Sequence, residues 1–159
     1  VDHDMHYYRT YLKILNTPEQ EEKIGYIIFC KNCGDRYAGI KYETKCRKCA
    51  HNTEIAGPLW IGKLFDKEFV KKMSNVKNTL TVDKKCEKIL ERSKMEAELP
   101  ATYYTLNEIA SRMNSAPIRL ENAINKLKEH GFNASATSLN PGGFRTDCEI
   151  DEIIQIFQS

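Results

Sequence analysis

Four cysteines, Cys30, Cys33, Cys46 and Cys49, fall in two Cys-x-x-Cys pairs with twelve residues between them. No other feature of the chain narrows its possible folds as much. Each pair supplies a tight turn that aims two sulfurs at one point, and four thiolates about 2.3 Å from one ion complete the tetrahedron that Zn²⁺ prefers. Gly34 directly follows the first pair and permits the positive φ that such a turn often needs. The intervening loop is slightly shorter than the usual Cys₄ window, yet ample for one β-hairpin. The expectation is a structural Zn²⁺ site with Cys30, Cys33, Cys46 and Cys49 as ligands, and reduced iron is the alternative the same cage would accept. A site without an open position serves folding rather than catalysis.

Other cysteine chemistries fit less well. A thioredoxin-type redox pair needs one motif at a helix N-terminus with a lowered thiol pKa, whereas the two motifs here lie among residues that read as strands. Paired disulfides need an oxidising compartment. The chain opens without a charged and apolar signal segment, so reduced thiols and a cytoplasmic location are expected. His51, two residues beyond Cys49, is not needed as a ligand and reads as a solvated histidine.

A chain of 159 residues holds one ordinary domain or two small ones. No stretch approaches the roughly twenty apolar residues of a membrane span, so no membrane partner is expected. The formal net charge of +2 makes no case for nucleic acid by itself. Locally, six basic residues (Lys31, Arg36, Lys41, Lys45, Arg47 and Lys48) face two acidic ones (Asp35 and Glu43) between positions 31 and 48. A basic hairpin suits a phosphate backbone, and suits a merely soluble surface equally well.

Residues 5–15 are rich in aromatic and β-branched types and read as a strand. Residues 16–22 read as a polar turn around Pro18, residues 23–30 as a strand that delivers Cys30 to the metal, and residues 36–44 as one arm of the hairpin. Asp66 is placed to cap a helix running to about Ser74. A second helix is expected over 82–99, with Val82, Cys86, Ile89, Leu90 and Ala97 at the 3.6-residue period, so Cys86 reads as a small core residue. Pro100 ends that helix. The boundary there separates a β-rich zinc-binding subdomain with two trailing helices (1–100) from a second subdomain (101–159).

In the second subdomain Thr105-x-x-Glu108 is a capping box before a helix with Leu106, Ile109, Ala110 and Met113 on one face. Pro117 suits the first residue of the next helix. That helix carries Leu120, Ala123, Ile124 and Leu127 on one side, and Gly131 stops it. Residues 132–139 read as a strand, 140–143 as a tight turn and 144–145 as the return. Thr146-x-x-Glu149 then opens a final helix bearing Ile150, Ile153, Ile154 and Phe157. Helix, turn, helix and two-stranded wing is the winged-helix order. The fold class is therefore α+β: an antiparallel β-sheet with a zinc-ribbon hairpin, followed by helices and a winged-helix-like unit. On the second of the wing's helices, Glu121 and Glu129 dilute Arg119, Lys126 and Lys128, so Arg145 in the wing is the better candidate for a phosphate contact. Tyr7, Tyr8 and Tyr11 could stack on bases but fit cross-strand or core positions better.

Three segments carry a family resemblance. The opening D-H-D-M-H-Y-Y-R-T-Y resembles the Asp-His-Tyr-x-Arg strand of the tRNA guanine-26 N2-dimethyltransferases. Residues 57–73, G-P-L-W-I-G-K-L-F-D-K-E-F-V-K-K-M, are similar to that family's Gly-Pro-Leu-Trp-x-Gly-x-Leu-x-Asp-x-x-Phe signature. Residues 132–148 resemble its Phe-x-Ala-Ser-Arg-Thr-His segment and the Lys-Thr-Asp that follows, with Arg145, Thr146 and Asp147 in the latter positions. The paired Cys-x-x-Cys motifs lie between the first two segments, as in archaeal members. Ala136 and Ser138 depart from the family's Arg and His, removing two groups that could touch RNA.

The resemblance implies a parent enzyme that binds S-adenosylmethionine on a Rossmann-like domain, through a Gly-rich turn and an Asp-Pro-Phe-Gly type motif. Neither motif occurs in this sequence, and Val1 falls where that domain would end. The chain is therefore expected to be the tRNA-binding C-terminal domain, partnered by an N-terminal methyltransferase domain. It should carry no catalytic or cofactor-binding residues of its own, and S-adenosylmethionine should enter only through the partner domain. Lys41, Lys45, Arg47, Lys48, Arg145 and Thr146 are the expected RNA-binding residues. Two rival readings are a zinc-ribbon and winged-helix transcription accessory protein that binds DNA, and a structural module that docks on the catalytic domain.

Overall fold

The computed structural model describes residues 2–4, 7–12, 21–76 and 83–159. Strands β1 (Asp2–Asp4) and β2 (Tyr7–Arg9) form an antiparallel pair with His3 opposite Tyr8. Where one strand was expected over 5–15, the chain thus makes a short hairpin, and strand structure ends at Arg9. Met5, His6 and residues 13–20, including the turn expected at Pro18, lie outside the described residues.

The four-cysteine region is a three-stranded antiparallel sheet. Strand β3 (Ile24–Phe29) sits between β4 (Arg36–Gly39) and β5 (Glu54–Trp60). Ile28 lies opposite Tyr37 on one side and Ile55 on the other, and Ile24 faces Trp60. Strand β5 was not foreseen, because its Gly57-Pro58 pair reads as a strand breaker. The sheet absorbs the pair on an edge strand, where the register shifts opposite Gly25–Ile27 and the Gly57-Pro58 bond is cis. Gly57 has φ +147°, and a Cβ there would meet the Gly25 carbonyl oxygen at 2.6 Å. The sheet is poorly covered: Ile28 is 1% exposed, while Ile24, Ile55 and Trp60 stay 47%, 38% and 39% exposed.

Helix α1 (Lys67–Val76) starts where Asp66 accepts the Phe69 N–H at 2.9 Å. Helix α2 (Lys84–Glu96) is capped by Asp83, which accepts the Lys85 N–H at 3.0 Å. Val70 of α1 packs with Phe65 and Ala97, at opposite ends of the two helices in sequence, so the pair runs antiparallel. Burial in α2 begins only at Ser93 and Glu96. Its first turns hold no buried side chain, and Cys86 is exposed rather than a core residue. Val82, where the helix was expected to start, is outside the described residues.

The last third builds around one apolar core. Helices α3 (Leu106–Met113), α4 (Leu120–Glu129) and α5 (Ile150–Gln158) surround a sheet in which β8 (Gly143–Thr146) lies between β6 (Tyr104–Thr105) and β7 (Ala134–Ala136). Ile109, Ala123, Leu127, Phe144, Ile150 and Ile153 are its most buried side chains. The two-residue β6 is too short to show a period-2 signal. Thr105 caps α3 as expected, accepting the Glu108 N–H at 3.2 Å, but the Glu108 carboxylate pairs with Arg36. Helix α4 begins after Arg119, so Pro117 precedes the helix instead of opening it. The box before α5 is Glu149 with Glu152, one turn later than Thr146-x-x-Glu149. Thr146 instead accepts the Cys148 N–H at 3.1 Å. Among the described residues no helix is long and apolar enough to cross a membrane.

Candidate metal centre and nucleic-acid surface

The two Cys-x-x-Cys pairs fold as matching knuckles. In the first, the Gly34 N–H donates to the Cys30 carbonyl at 2.8 Å; in the second, the Ala50 N–H donates to the Cys46 carbonyl at 3.0 Å. The residue that closes each turn lies in the left-handed region, Gly34 at φ +83° and Ala50 at φ +58°. The turns bring all four sulfurs within 4.8 Å of one another. Cys30 and Cys49, and likewise Cys33 and Cys46, stand 3.5 Å apart. Sulfurs about 2.3 Å from a tetrahedral ion are separated by about 3.8 Å, so the cluster is near the size at which four thiolates could hold a metal ion.

The surroundings suit thiolates. The His51 backbone N–H and the Asn32 amide hold the Cys49 thiol well below its ordinary range, at about 5, whereas burial pushes Cys33 up to about 12. The Lys48 N–H approaches Cys46 Sγ at 3.4 Å and Asn32 Nδ2 approaches Cys49 Sγ at 3.6 Å. Such N–H donors stabilise negative sulfur. His51 is exposed, its Nδ1 lies 3.0 Å from the Cys49 carbonyl, and it is not among the clustered ligands.

Both knuckles are fastened to the C-terminal helices. Arg112 of α3 donates to the carbonyls of Asn32 and Lys31 at 3.0 and 3.3 Å. Arg36 lies 4.4 Å from the Tyr104 ring centroid, donates to the Tyr103 carbonyl at 2.6 Å, and pairs with Glu108. Asp35, buried, accepts from Arg47 Nε and Nη2 at 2.8 and 3.0 Å and so joins one knuckle to the other. Asp35, Arg36 and Arg112 were not singled out as contacts, because their partners lie far away in sequence. Ala50 could have been, since it holds the place after the second pair that Gly34 holds after the first.

The expected RNA-binding residues divide into three groups. Lys41 and Lys45 are exposed, and Lys45 donates to Asn52 at 2.8 Å. Arg47 and Lys48 are engaged by carboxylates: Arg47 by Asp35 and Glu149, and Lys48 by Glu149 and Asp151 at 2.7 and 2.6 Å. Burial works against the charge of Lys48, yet Asp151 and Glu149 hold its pKa above the ordinary lysine value.

Arg145 and Thr146 are buried, with Arg145 only 1% exposed. Arg145 Nε donates to Glu96 at 2.6 Å, and Nη1 donates to the carbonyls of Pro100 and Ala101, each at 2.6 Å. These two residues therefore do not offer a phosphate contact. The guanidinium neutralises a buried carboxylate of α2 and ties α2 to the β7–β8 hairpin. Position in a turn-flanked strand reads as exposed, and only the distant Glu96 explains why this arginine points inward.

The family model for N2,N2-dimethylguanosine tRNA methyltransferase matches residues 2–158. The tRNA (guanine(26)-N(2))-dimethyltransferase of Methanosphaera stadtmanae is 29% identical over 95% of this chain and 41% of its own length. The corresponding protein of Methanosarcina barkeri is 32% identical over 97% of this chain and 42% of its own length. The chain thus spans about two fifths of the curated relatives it matches. Its fold is similar to Trm1 from Pyrococcus horikoshii, solved in complex with S-adenosyl-L-methionine, with a TM-score of 0.70 and 26% identity over 87% of this chain and 36% of that one. The chain belongs to the N2,N2-dimethylguanosine tRNA methyltransferase family.

Proposed function

We propose that this chain is the tRNA-holding part of a tRNA guanine N2-dimethyltransferase. The observation that carries this reading is the unbroken family match from residue 2 to residue 158. S-adenosylmethionine and the methyl-transfer chemistry are assigned to a methyltransferase domain of the parent enzyme. Zn²⁺ in the Cys30, Cys33, Cys46 and Cys49 cage supplies rigidity, in keeping with a four-thiolate set that leaves no coordination position for substrate. The division at Pro100 separates a zinc-binding subdomain from a winged-helix-like one, and the two act as one footprint because Arg36, Arg47, Lys48 and Arg112 span it.

Methylating a base amine in folded tRNA requires the base to be presented from its stacked surroundings. A structured RNA is held for this by shape and backbone contacts rather than by groove sequence. Lys41 and Lys45 remain exposed on the hairpin for such contacts. A competition assay with the zinc-loaded chain tests the reading: tRNA should displace duplex DNA of equal length. Preference for the duplex would support the transcription-factor alternative.

A docking role is favoured by one specific observation, the exposed apolar residues Ile24, Ile55 and Trp60 on the three-stranded sheet. A sheet face of this kind is ordinarily covered, and the methyltransferase domain of the parent is the proposed cover. Negligible tRNA affinity with tight binding to the separately produced catalytic domain would make docking the whole function.

A further inference from the structure

We propose that the exposed faces of α1 and of the first turns of α2, bearing Lys71, Lys72, Lys84 and Lys88, are the principal phosphate-binding surface of the chain, with the sugar–phosphate backbone of folded RNA as its partner. This rests on the tRNA-holding reading and moves its main contact away from the zinc hairpin.

The charge of the zinc hairpin is largely spent within the protein. Of its six basic residues, Lys31 pairs with Glu54, Arg36 with Glu108, Arg47 with Asp35 and Glu149, and Lys48 with Glu149 and Asp151. A phosphate would have to displace a carboxylate at each of these four. By contrast, Lys71, Lys72, Lys84 and Lys88 are exposed and none is ion-paired with a described residue.

One stripe of α2 also gathers like charges. Lys84, Lys88 and Arg92 recur every four residues along α2, and Glu87 and Glu91 repeat at the same spacing on an adjacent stripe. Residues four apart share a face and like charges at this spacing repel, with Glu87 and Glu91, three residues beyond Lys84 and Lys88, offsetting part of that repulsion. Lys84 occupies the first turn of α2 beside the Asp83 cap and Glu87, at the end of the helix dipole that disfavours cations. An anionic partner relieves the repulsion that remains along the Lys84, Lys88 and Arg92 stripe. The surface is accessible because burial in α2 begins at Ser93. It is also anchored, since Glu96 binds Arg145 and Ser138, and Arg92 donates to the Thr137 carbonyl at 3.3 Å.

The test is tRNA binding by the zinc-loaded chain across a salt series, comparing the unaltered chain with K84E/K88E, K84Q/K88Q and, as a control of equal charge change, R119E/K128E on α4. Each backbone contact contributes roughly 0.7–0.9 to the slope of log affinity against log salt. K84Q/K88Q should therefore lower the slope by about 1.5 and weaken binding about tenfold. K84E/K88E should weaken it further, and R119E/K128E should do much less. If the unaltered chain binds tRNA and both α2 variants keep its affinity and slope, the inference is overturned while the tRNA-holding reading stands. An equal loss in R119E/K128E overturns it too, because the effect is then one of net charge. If the unaltered chain binds no tRNA, both fall.

Discussion

The four-cysteine hairpin and the C-terminal unit solve the same stability problem with different means. Residues 104–157 pack eleven buried side chains around Phe144, Ile150 and Ile153. In the β3–β5 region the most buried apolar side chains are Ile28 and the ligands Cys30 and Cys46, and they belong to neither apolar core cluster. One region is held by apolar burial. The other depends on its four-sulfur cage and on ionic ties to its neighbour. A small sheet with so little core needs such a staple.

That contrast can be broken most forcefully at the cage. Cys46→Ser should unfold the hairpin while leaving α3–α5 native, because apparent Zn²⁺ binding in small domains is worth about 10 kcal/mol or more and is coupled to folding. Backbone NMR should show lost dispersion for 24–60 and retained peaks for 104–157; a uniform change across the chain would dissolve the distinction. Next in size is the tie between α2 and the β7–β8 hairpin. Arg145→Ala strands the Glu96 carboxylate in the interior and should cost about 4 kcal/mol in denaturant unfolding, with part recovered by adding Glu96→Gln. A loss below about 1 kcal/mol would mean that Glu96 finds water or another partner.

Ile153→Ala should cost about 3 kcal/mol through cavity formation in the C-terminal core and leave metal affinity unchanged. A shift in metal affinity would show that the two regions share one cooperative unit. The smallest change refines the hairpin itself. Ala50 holds φ +58°, a conformation that costs a non-glycine residue about 1 kcal/mol, so Ala50→Gly should raise the stability of the metal-loaded chain by about that amount at most. Gly34→Ala should do the opposite, since its Cβ would lie 2.5 Å from Arg112 Nε.

What the sequence made legible follows the same division. The cage was readable because its ligand spacing is local, and the helices of the C-terminal half were readable because Leu120, Ala123, Ile124 and Leu127 repeat within one element. Strand β5 was hidden by Gly57-Pro58, whose tolerance depends on an edge position that only the assembled sheet defines. The surroundings of the residues expected to bind RNA were the least legible. Arg47, Lys48 and Arg145 look like free cations until Glu149, Asp151 and Glu96 arrive from 49 or more positions away. Cys86 shows the converse error: helical periodicity marks a face, but the first turns of α2 find nothing among the described residues to bury that face against.

Zinc titration of the metal-free chain, followed by hydrogen exchange resolved along the sequence, tests the central claim most directly. One Zn²⁺ per chain should bind and slow exchange across residues 24–60, with little change across 104–157. Substoichiometric binding, or exchange in 24–60 that is already slow without metal, would contradict a hairpin built around its metal.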